Sequence, residues 1–463
     1  MINYEDFINN KNVVFQNSGF DISIDDINPM CFDFQKDIVR WALAKGRCAI
    51  FADCGLGKTL MQLEWAHKIC EFTGGNVLIL APLSVAQQTK REGQKFGYEV
   101  TVCESQSDVK QGINVTNYEK LDKFECGSFV GVVLDESSIL KSFTGSVRNQ
   151  IISYFAKTQY KLACTATPAP NDYMELGNHS EFLGIMTRAE MLAMYFVHDG
   201  GQTSKWRLKR HAESVFWQWM ASWSVFISNP ADLGYSSAGY ELPNLNVHEI
   251  IVDDDEPITE TLTLTQRRQA RKESLEERCQ AAADLVNATD EQGLVWCELN
   301  DERHRLWDLC DDSWEIKGSD KPSYKVQTMA DFSDDAIKCL VTKPSIAGFG
   351  MNWQQCHNMI FVGLSDSYEK YYQALRRCWR FGQEHEVNVY IIISAREGCV
   401  KENIERKEQD ALKMKNAMIE LTKDITKKEL KTTCRLMTPY NADTDMVLPG
   451  WEEFSHESIR SAS

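Results

Sequence analysis

Short apolar runs that lack polar alternation are the clearest pattern along the chain. They are rich in Val and Ile, turn residues bound them, and they include Asn76–Pro82, Phe129–Leu134, Asn358–Leu364 and Asn388–Ser394. A strand that is apolar on both sides of its pleat is buried on both faces, as in a parallel sheet covered by helices. The runs therefore predict buried parallel strands in two clusters, one before about residue 172 and one after about residue 290.

Stretches with helical character separate the apolar runs, for example Thr59–Phe72 and Ser367–Arg380. Strands that alternate with helices are typical of doubly wound parallel sheets. We therefore predict an α/β fold with two such lobes. The predicted division of the chain is 1–172 for the first lobe, 173–245 for a helical insertion and connector, 246–431 for the second lobe with a C-terminal helix, and 432–463 for a tail.

The segment between the two clusters has a helical and aromatic pattern. It contains the basic run Lys205–Arg210, which is followed by Trp217, Trp219 and Trp223. One hypothesis is a surface that grips a nucleic-acid backbone and stacks a base. The alternative is a helical hairpin whose tryptophans form a small core of their own. We favour the core for the tryptophans, and both interpretations of the basic run stay open.

Composition and charge restrict the possible functions. The chain has 463 residues, of which 43% are hydrophobic and 25% charged, so it can build two or three domains with sizeable cores. Its net charge of -17 argues against a protein that coats nucleic acid indiscriminately, although one basic groove needs only local charge.

The cysteines and the N-terminus predict a cytosolic location. The 15 cysteines are scattered singly without zinc-ligand spacing, which is typical of reduced thiols in a core. The segment MINYEDFINN lacks the apolar region of a signal peptide, and the apolar runs are too short to span a bilayer. We therefore expect no membrane partner.

A candidate phosphate loop lies in residues 50–60, IFADCGLGKTL. Gly55 and Gly57 would let backbone N–H groups converge on phosphate oxygens without a Cβ in the way. Lys58 would reach the β and γ phosphates, and the Thr59 hydroxyl would ligate Mg²⁺. The alternative is a glycine turn ahead of a core helix, and Ala52 stands where such loops usually have their first glycine.

Two acids follow the apolar run Val132–Leu134. At the carboxyl edge of a parallel sheet, Asp135 could hold Mg²⁺ through water, and Glu136 could orient or deprotonate the attacking water. The alternative is that both acids cap the next turn, which is less expected downstream of a phosphate loop. Further upstream, the Gln35 amide could read the adenine edge beside the aromatic ring of Phe32 or Phe34.

The ordered set of segments resembles superfamily 2 helicases, most closely the SWI/SNF-type branch of DNA translocases. The matching segments span residues 34–383 and are FQKDIVRWAL, FADCGLGKT, APLSVAQQ, VTNYEKL, VVLDESS, CTATPAPND, TKPSIAGFGMNWQ and YYQALRRCWRFGQ. Residues 181–235, with EMLAMYFVHDGG and FWQWMASW, are similar to a variant of phage and mobile-element proteins. The resemblance implies two RecA-like lobes that hydrolyse ATP with Mg²⁺ between them, in the cytoplasm of a bacterial or phage-infected host cell.

The resemblance also implies a role for each matching residue. It implies nucleotide contacts by Gln35, Gly55, Gly57, Lys58, Thr59 and Gly350, with metal contacts by Thr59 and Asp135. It implies catalytic roles for Lys58, Asp135, Glu136, Gln373, Arg377 and Arg380. It implies nucleic-acid contacts by Ser84, Asn117, Thr165, Thr167 and Asn352, where the two threonines would couple the ATP state to the nucleic-acid groove.

The arginines near residue 380 also have a physical reason. The charge that builds up in phosphoryl transfer needs donors beyond Lys58, and arginines from the other lobe make hydrolysis depend on closure. Arg377 and Arg380 are three apart on a predicted helix and would therefore share one face. Arg376 departs from the family pattern, which has Gly or Asp at this position.

The expected partner is nucleic acid. Ser84 and Asn117 lie in segments that touch the sugar-phosphate backbone in the family, although turns at sheet edges use the same residue types. We predict an ATPase that translocates on DNA, duplex rather than single-stranded, with RNA less favoured. The alternative is an ATP-switched module that binds nucleic acid or protein and does not translocate.

Overall fold

The computed structural model describes residues 15, 17–82, 85–141, 145–198, 206–252, 264–347, 351–365 and 367–432. Within these ranges two parallel sheets are each covered by helices, which confirms the predicted α/β fold with two RecA-like lobes. No helix in these ranges combines the length and the apolar character that a bilayer crossing requires.

The first sheet has seven parallel strands in the order β3-β4-β2-β5-β6-β1-β9. The strands are β1 (Arg47–Ala52), β2 (Asn76–Ala81), β3 (Val100–Val102), β4 (Ile113–Asn117), β5 (Phe129–Asp135), β6 (Tyr160–Cys164) and β9 (Ser224–Ile227). The inner strands are apolar on both faces because helices cover both sides. This is why the apolar runs lacked polar alternation.

Seven helices of the described residues pack on the first sheet. One face is covered by α1 (Asp33–Lys45), α2 (Lys58–Thr73) and α3 (Val85–Lys95). The other face is covered by α4 (Ser146–Tyr154), α5 (Leu176–Leu183), α6 (Arg188–Tyr195) and α7 (Glu213–Ala221).

The second sheet has six parallel strands in the order β10-β15-β14-β11-β13-β12. The strands are β10 (Leu245–Ile251), β11 (Gly293–Cys297), β12 (Ser313–Glu315), β13 (Cys339–Thr342), β14 (Asn358–Val362) and β15 (Val387–Ile393). The helices of this lobe are α8 (Leu264–Glu273), α9 (Leu275–Asn287), α10 (Asn300–Leu309), α11 (Pro322–Ser333), α12 (Pro344–Ala347), α13 (Tyr368–Leu375) and α14 (Gly398–Thr432).

Segment 173–245 is more than a helical connector. Its strand β9 pairs with β1 and so extends the first sheet, while β7 (Phe196–His198) and β8 (Trp206–Leu208) form an antiparallel hairpin. Strand β9 begins only three residues after the tryptophan-rich helix ends, so its three apolar residues did not stand out from the helical pattern. The side chains of Trp217, Trp219 and Trp223 are buried, as predicted, but they belong to the core of the first lobe and not to a small core of their own.

The long helix α14 bridges the two lobes. Near its start, Val400 and Ile404 belong to the core of the second lobe, whereas Met418 and Leu430 belong to cores of the first. A helix of 35 residues is about 50 Å long, enough to reach from one lobe across the other. Assigning this helix to the second lobe alone was therefore incomplete.

Candidate nucleotide site

The loop between β1 and α2 has the conformation that a phosphate loop needs. Gly55 and Gly57 have φ angles of 88° and 76°, in the left-handed region that side chains disfavour. Helix α2 begins at Lys58, so its unpaired N–H groups lie at the loop. The Lys58 Nζ donates to the carbonyl oxygens of Ala52 at 2.9 Å and Asp53 at 3.2 Å. A cationic lysine and a helix N-terminus therefore meet at one point.

Two acids follow at the carboxyl end of β5, next to this loop. Asp135 is buried and accepts a hydrogen bond from Gln62 Nε2 at 2.8 Å. Burial, and then the neighbouring Glu136 carboxylate, raises the pKa of Asp135 to about 6. The backbone of Glu136 is left-handed, with φ at 56°, which costs about 1 kcal/mol for a residue with a Cβ. Two crowded carboxylates at this position would be relieved by a cation.

The segment after β6 contacts the second acid. The Thr165 Oγ1 donates to Glu136 Oε2 at 3.3 Å, and the Thr167 backbone N–H donates to Thr165 Oγ1 at 3.1 Å. β5 and β6 are parallel neighbours with Asp135 opposite Cys164, so the residues that follow both strands meet at one edge of the sheet. One predicted coupling residue, Thr165, therefore contacts the predicted water-positioning acid, and Thr167 supports Thr165.

Aromatic rings from both lobes lie near Gln35. The Gln35 side chain accepts a hydrogen bond from the Phe32 backbone N–H and donates to the Leu56 carbonyl oxygen, both at 2.9 Å. The Phe32 ring lies 5.8 Å from the Tyr240 ring, which lies 4.7 Å from the Phe381 ring. The sequence predicted an aromatic ring, that of Phe32 or Phe34, beside Gln35. Tyr240 and Phe381 were not predicted.

The second lobe delivers two arginines from a turn. Helix α13 ends at Leu375, so the predicted helix to Arg380 and the shared helix face were wrong. Beyond the helix end, the Arg377 carbonyl oxygen accepts a hydrogen bond from the Trp353 backbone N–H. This carbonyl group therefore pairs with a distant segment and not with a following helical turn. Arg377 Nη1 and Arg380 Nη1 nevertheless both donate to the Met351 carbonyl oxygen at 3.1 Å. Burial and the neighbouring Arg377 lower the pKa of Arg380 to about 10.

Gln373 differs from the other predicted catalytic residues. Its side chain is buried, does not line the cavity, and forms no hydrogen bond with the described residues. Its carbonyl oxygen accepts from Arg377 Nε at 2.8 Å. In this structure Gln373 therefore lies behind the arginines, not among the residues that face the cavity.

A cavity of about 500 Å³ joins these features between the two lobes. From the first lobe it is lined by Gln35, Gly55, Gly57, Lys58, Thr59, Asp135 and Glu136. From the second lobe it is lined by Asn352, Arg377, Arg380 and Phe381. The predicted nucleic-acid residue Asn352 therefore lies at the nucleotide cavity, where its Nδ2 contacts Glu92 Oε1 at 3.5 Å across the cleft. The predicted residue Gly350 lies outside the described residues.

The walls of the cavity carry complementary charges. Among the residues that the structure describes, neither Arg377 nor Arg380 forms an ion pair with a carboxylate. The opposite wall holds the Asp135 and Glu136 carboxylates. A polyanion that carries a divalent cation satisfies both walls, so the residues fit ATP with Mg²⁺. Thr59 and Asp135 would hold the metal together with phosphate oxygens and water.

A second cavity of about 560 Å³ also lies between the lobes, and we call it the groove. Its lining includes Pro82, Tyr118, Glu119, Glu136, Ser138, Ile139 and Lys141 of the first lobe, and Gly318, Pro322, Lys325, Val326, Met329, Ser345, Ile346 and Glu369 of the second. Lys141 pairs with Glu369 across it, and Lys325 Nζ donates to the Gly318 carbonyl oxygen at 2.6 Å. Glu136 lines both cavities.

Other residues that were predicted to contact nucleic acid do not line the groove or lie outside the described residues. Asn117 is buried and does not line the groove, although the next residue, Tyr118, does. Ser84 lies outside the described residues, as does Lys205 of the basic run. The Lys209 Nζ donates to the carbonyl oxygens of Ala193 at 2.9 Å and Met194 at 3.0 Å, which caps the end of α6.

Two family comparisons match the two lobes separately. Residues 31–170 match the family described as the type III restriction enzyme res subunit. Residues 277–382 match the helicase conserved C-terminal domain. The first match contains Lys58 and both acids, and the second contains Arg377 and Arg380, so the matches include both walls of the nucleotide cavity.

Individual relatives are longer proteins. The TATA-binding protein-associated factor mot1 of Schizosaccharomyces pombe is 30% identical over 129 residues, 26% of this chain and 6% of that protein. The DNA annealing helicase and endonuclease ZRANB3 of Mus musculus is 27% identical over 163 residues, 31% of this chain and 15% of that protein. Among solved structures, the ATP-dependent Type ISP restriction-modification enzyme LlaBIII bound to DNA has a TM-score of 0.49 and 13% identity, over 81% of this chain and 29% of that one. This chain therefore matches less than a third of each protein's length.

Proposed function

We propose that this chain, which has both domains of an ATP-hydrolysing superfamily 2 helicase, is an ATP-driven translocase that moves along DNA. One observation carries the proposal. A single cavity of about 500 Å³ brings Lys58, Asp135 and Glu136 of the first lobe together with Arg377 and Arg380 of the second. A nucleotide in this cavity contacts both lobes, so its hydrolysis can change the position of one lobe relative to the other.

The roles of the residues follow from their positions on the two walls. When ATP and Mg²⁺ are bound, they supply the phosphoryl group and the charge that these walls recognise. Lys58 contacts the phosphates, and Glu136 orients the attacking water. Arg377 and Arg380 stabilise the charge that develops on the phosphoryl group, and they come from the other lobe. Hydrolysis therefore depends on closure, and such an arginine contributes about a thousandfold or more in rate.

Glu136 couples ATP hydrolysis to nucleic-acid binding. This carboxylate lines both the nucleotide cavity and the groove, and it accepts a hydrogen bond from Thr165. A strand in the groove that moves Thr165 or the segment Ser137–Lys141 changes the position of Glu136. DNA binding would then stimulate turnover, and the cycle of closure and opening would move the lobes along the strand.

We further propose that the substrate is duplex DNA and that the chain belongs to the SWI/SNF-type branch, in a phage or mobile-element variety. The order of the motifs supports the branch, and one curated relative is named as a DNA annealing helicase. A cytoplasmic location in a bacterial or phage-infected cell is part of the same proposal. Thirteen cysteines of the described residues are free thiols, as a reducing compartment would keep them.

ATP hydrolysis measured with and without nucleic acid tests the proposal. We expect duplex DNA to raise turnover of the full chain at least tenfold, with a smaller effect of RNA. Triplex displacement on duplex DNA, measured beside strand displacement, would then separate translocation from unwinding.

Two results would contradict the proposal in different ways. Turnover that does not respond to DNA or RNA would favour a switched binding module that opens and closes without moving. Displacement of a labelled strand without displacement of a triplex would identify a strand-separating helicase instead of a duplex translocase.

A further inference from the structure

Asp53 occupies an unusual position at the start of the phosphate loop. The residue is only 8% exposed, and its carboxylate is not directed at the nucleotide cavity wall that holds Lys58. Instead it accepts a hydrogen bond from the Cys54 backbone N–H at 2.7 Å and from two side chains of other elements. A buried carboxylate is stable only when such partners compensate for its lost hydration.

The partners of Asp53 come from the second lobe and from the bridging helix α14. The Tyr372 hydroxyl on α13 donates to Asp53 Oδ1 at 2.7 Å, and Lys415 Nζ on α14 donates to Asp53 Oδ2 at 2.5 Å. The Arg376 guanidinium lies 4.0 Å from Asp53 Oδ2 and donates to the Cys54 carbonyl oxygen at 2.8 Å. Burial alone would raise the pKa of Asp53, but Arg376 and Lys415 hold it well below its usual range.

Arg376 is fixed in this position by its own packing. Its guanidinium lies over the rings of Tyr372 at 5.9 Å and Trp379 at 5.2 Å, and the side chain is buried. A planar guanidinium that both stacks and donates is poorly replaced by another residue type. The departure of Arg376 from the helicase pattern therefore coincides with a direct contact to the phosphate loop.

We propose that Asp53, Tyr372, Arg376 and Lys415 form a latch that holds the phosphate loop against the arginine-bearing turn, so that helix α14 sets the rate of ATP turnover. Separation of the lobes would remove Tyr372 and Arg376 from a buried carboxylate, which disfavours the open state. The latch acts by positioning Arg377 and Arg380, since none of its four residues lines the nucleotide cavity. This inference rests on the proposed function, because it concerns the same closure.

The latch predicts a change in kcat with little change in KM. In the full chain with duplex DNA, Lys415→Gln and Asp53→Asn should each lower kcat about tenfold and leave the KM for ATP within about twofold. The double variant should be no slower than the slower single variant, because both substitutions remove one contact. Lys413→Gln is the matched control, since Lys413 is exposed on the same helix two residues earlier and has no ion pair among the described residues. Arg376→Gln extends the test with a substitution outside the phosphate loop that removes the hydrogen bond to the Cys54 carbonyl oxygen.

Hydrogen exchange of the protein without nucleotide or DNA provides a second readout. The latch variants should exchange faster in the phosphate loop and in the turn after α13, and Lys413→Gln should not. Equal kinetics in Lys415→Gln and Lys413→Gln, multiplicative losses in the double variant, or unchanged exchange would each overturn the latch. Absence of DNA stimulation together with faster exchange would instead refute the proposed function and leave the latch standing.

Discussion

The nucleotide cavity and the groove are two regions of one cleft, similar in volume at about 500 and 560 Å³, but they use charge differently. In the nucleotide cavity, Arg377 and Arg380 have no carboxylate partner among the described residues, so they are ready for an anion. In the groove, Lys141 is already paired with Glu369 across the cleft. Under the proposed function, nucleotide would enter a preformed site, whereas nucleic acid would have to displace an existing contact between the lobes.

The largest expected effect is at the phosphate loop. Lys58→Ala removes the lysine of the phosphate loop from the nucleotide cavity, and we expect ATP turnover to fall by about a thousandfold or more. The fold should persist because Lys58 contacts only backbone carbonyl oxygens. Lys68→Ala, on the same helix, is the control. Turnover near the normal rate in Lys58→Ala would mean that the cavity is not the nucleotide site.

Substitution of Arg380 tests whether the second lobe takes part in ATP hydrolysis at the first. Arg380→Ala should lower kcat by about a hundredfold to a thousandfold while nucleotide binding persists, because the charge is needed mainly in the transition state. Arg396→Ala serves as the control, since Arg396 is a partly exposed arginine of the same lobe that pairs with Glu273 outside the cavity. Binding of a fluorescent ATP analogue, measured together with turnover, distinguishes a loss of nucleotide affinity from a loss of catalysis. Loss of binding with intact chemistry would contradict the role across the cleft.

The sequence motifs contain many of the residues that line the nucleotide cavity, because these residues lie in short segments at strand ends. Gly55, Gly57 and Lys58 are contiguous, and parallel topology then brings Asp135 and Glu136 to the same edge. The phosphate loop was predicted from the glycine spacing together with the acids after a later apolar run, and its glycines do have left-handed backbone conformations. Burial of the four apolar runs followed from their lack of alternation.

Contacts between distant segments could not be predicted in this way. Nothing local in the sequence relates Asp53 to Lys415, which are 362 positions apart. Nothing local in the sequence relates Phe381 to Tyr240 either. Because Phe381 directly follows Arg380, which was predicted to face the nucleotide, its proximity to the same site could have been predicted. The end of α13 at Leu375 was also missed, because helical periodicity continues while tertiary hydrogen bonds end the helix.

Acidic pH should destabilise the first lobe through a buried histidine on the helix that packs against the segment after β5. His179 is buried against Ser137, with Nε2 at 3.1 Å from the hydroxyl, and burial lowers its pKa to about 4. Folding therefore favours the neutral ring. The free energy of unfolding should decrease as the pH falls from about 6.5 towards 4, by up to about 3 kcal/mol, and this loss should level off below 4.

Denaturant unfolding across this range, in the wild type and in His179→Gln, measures the effect. The variant cannot gain the proton, so its stability should vary less between pH 6.5 and 4 than that of the wild type. Identical pH profiles would show that another group controls the acid response.

The smallest expected effect concerns the groove lysines, and it decides whether the groove binds DNA at all. Replacing both Lys141 and Lys325 with Ala should weaken duplex binding about tenfold at low salt and lower the slope of log affinity against log salt by up to about 2, one phosphate contact for each lysine. Part of the loss at Lys141 is offset because Glu369 no longer needs to be displaced. Lys110→Ala is the control, since Lys110 precedes the amino end of β4 and lies at the opposite edge of the sheet. If affinity and salt slope match those of the control, DNA binds elsewhere, and the basic run around Lys209 becomes the next surface to test.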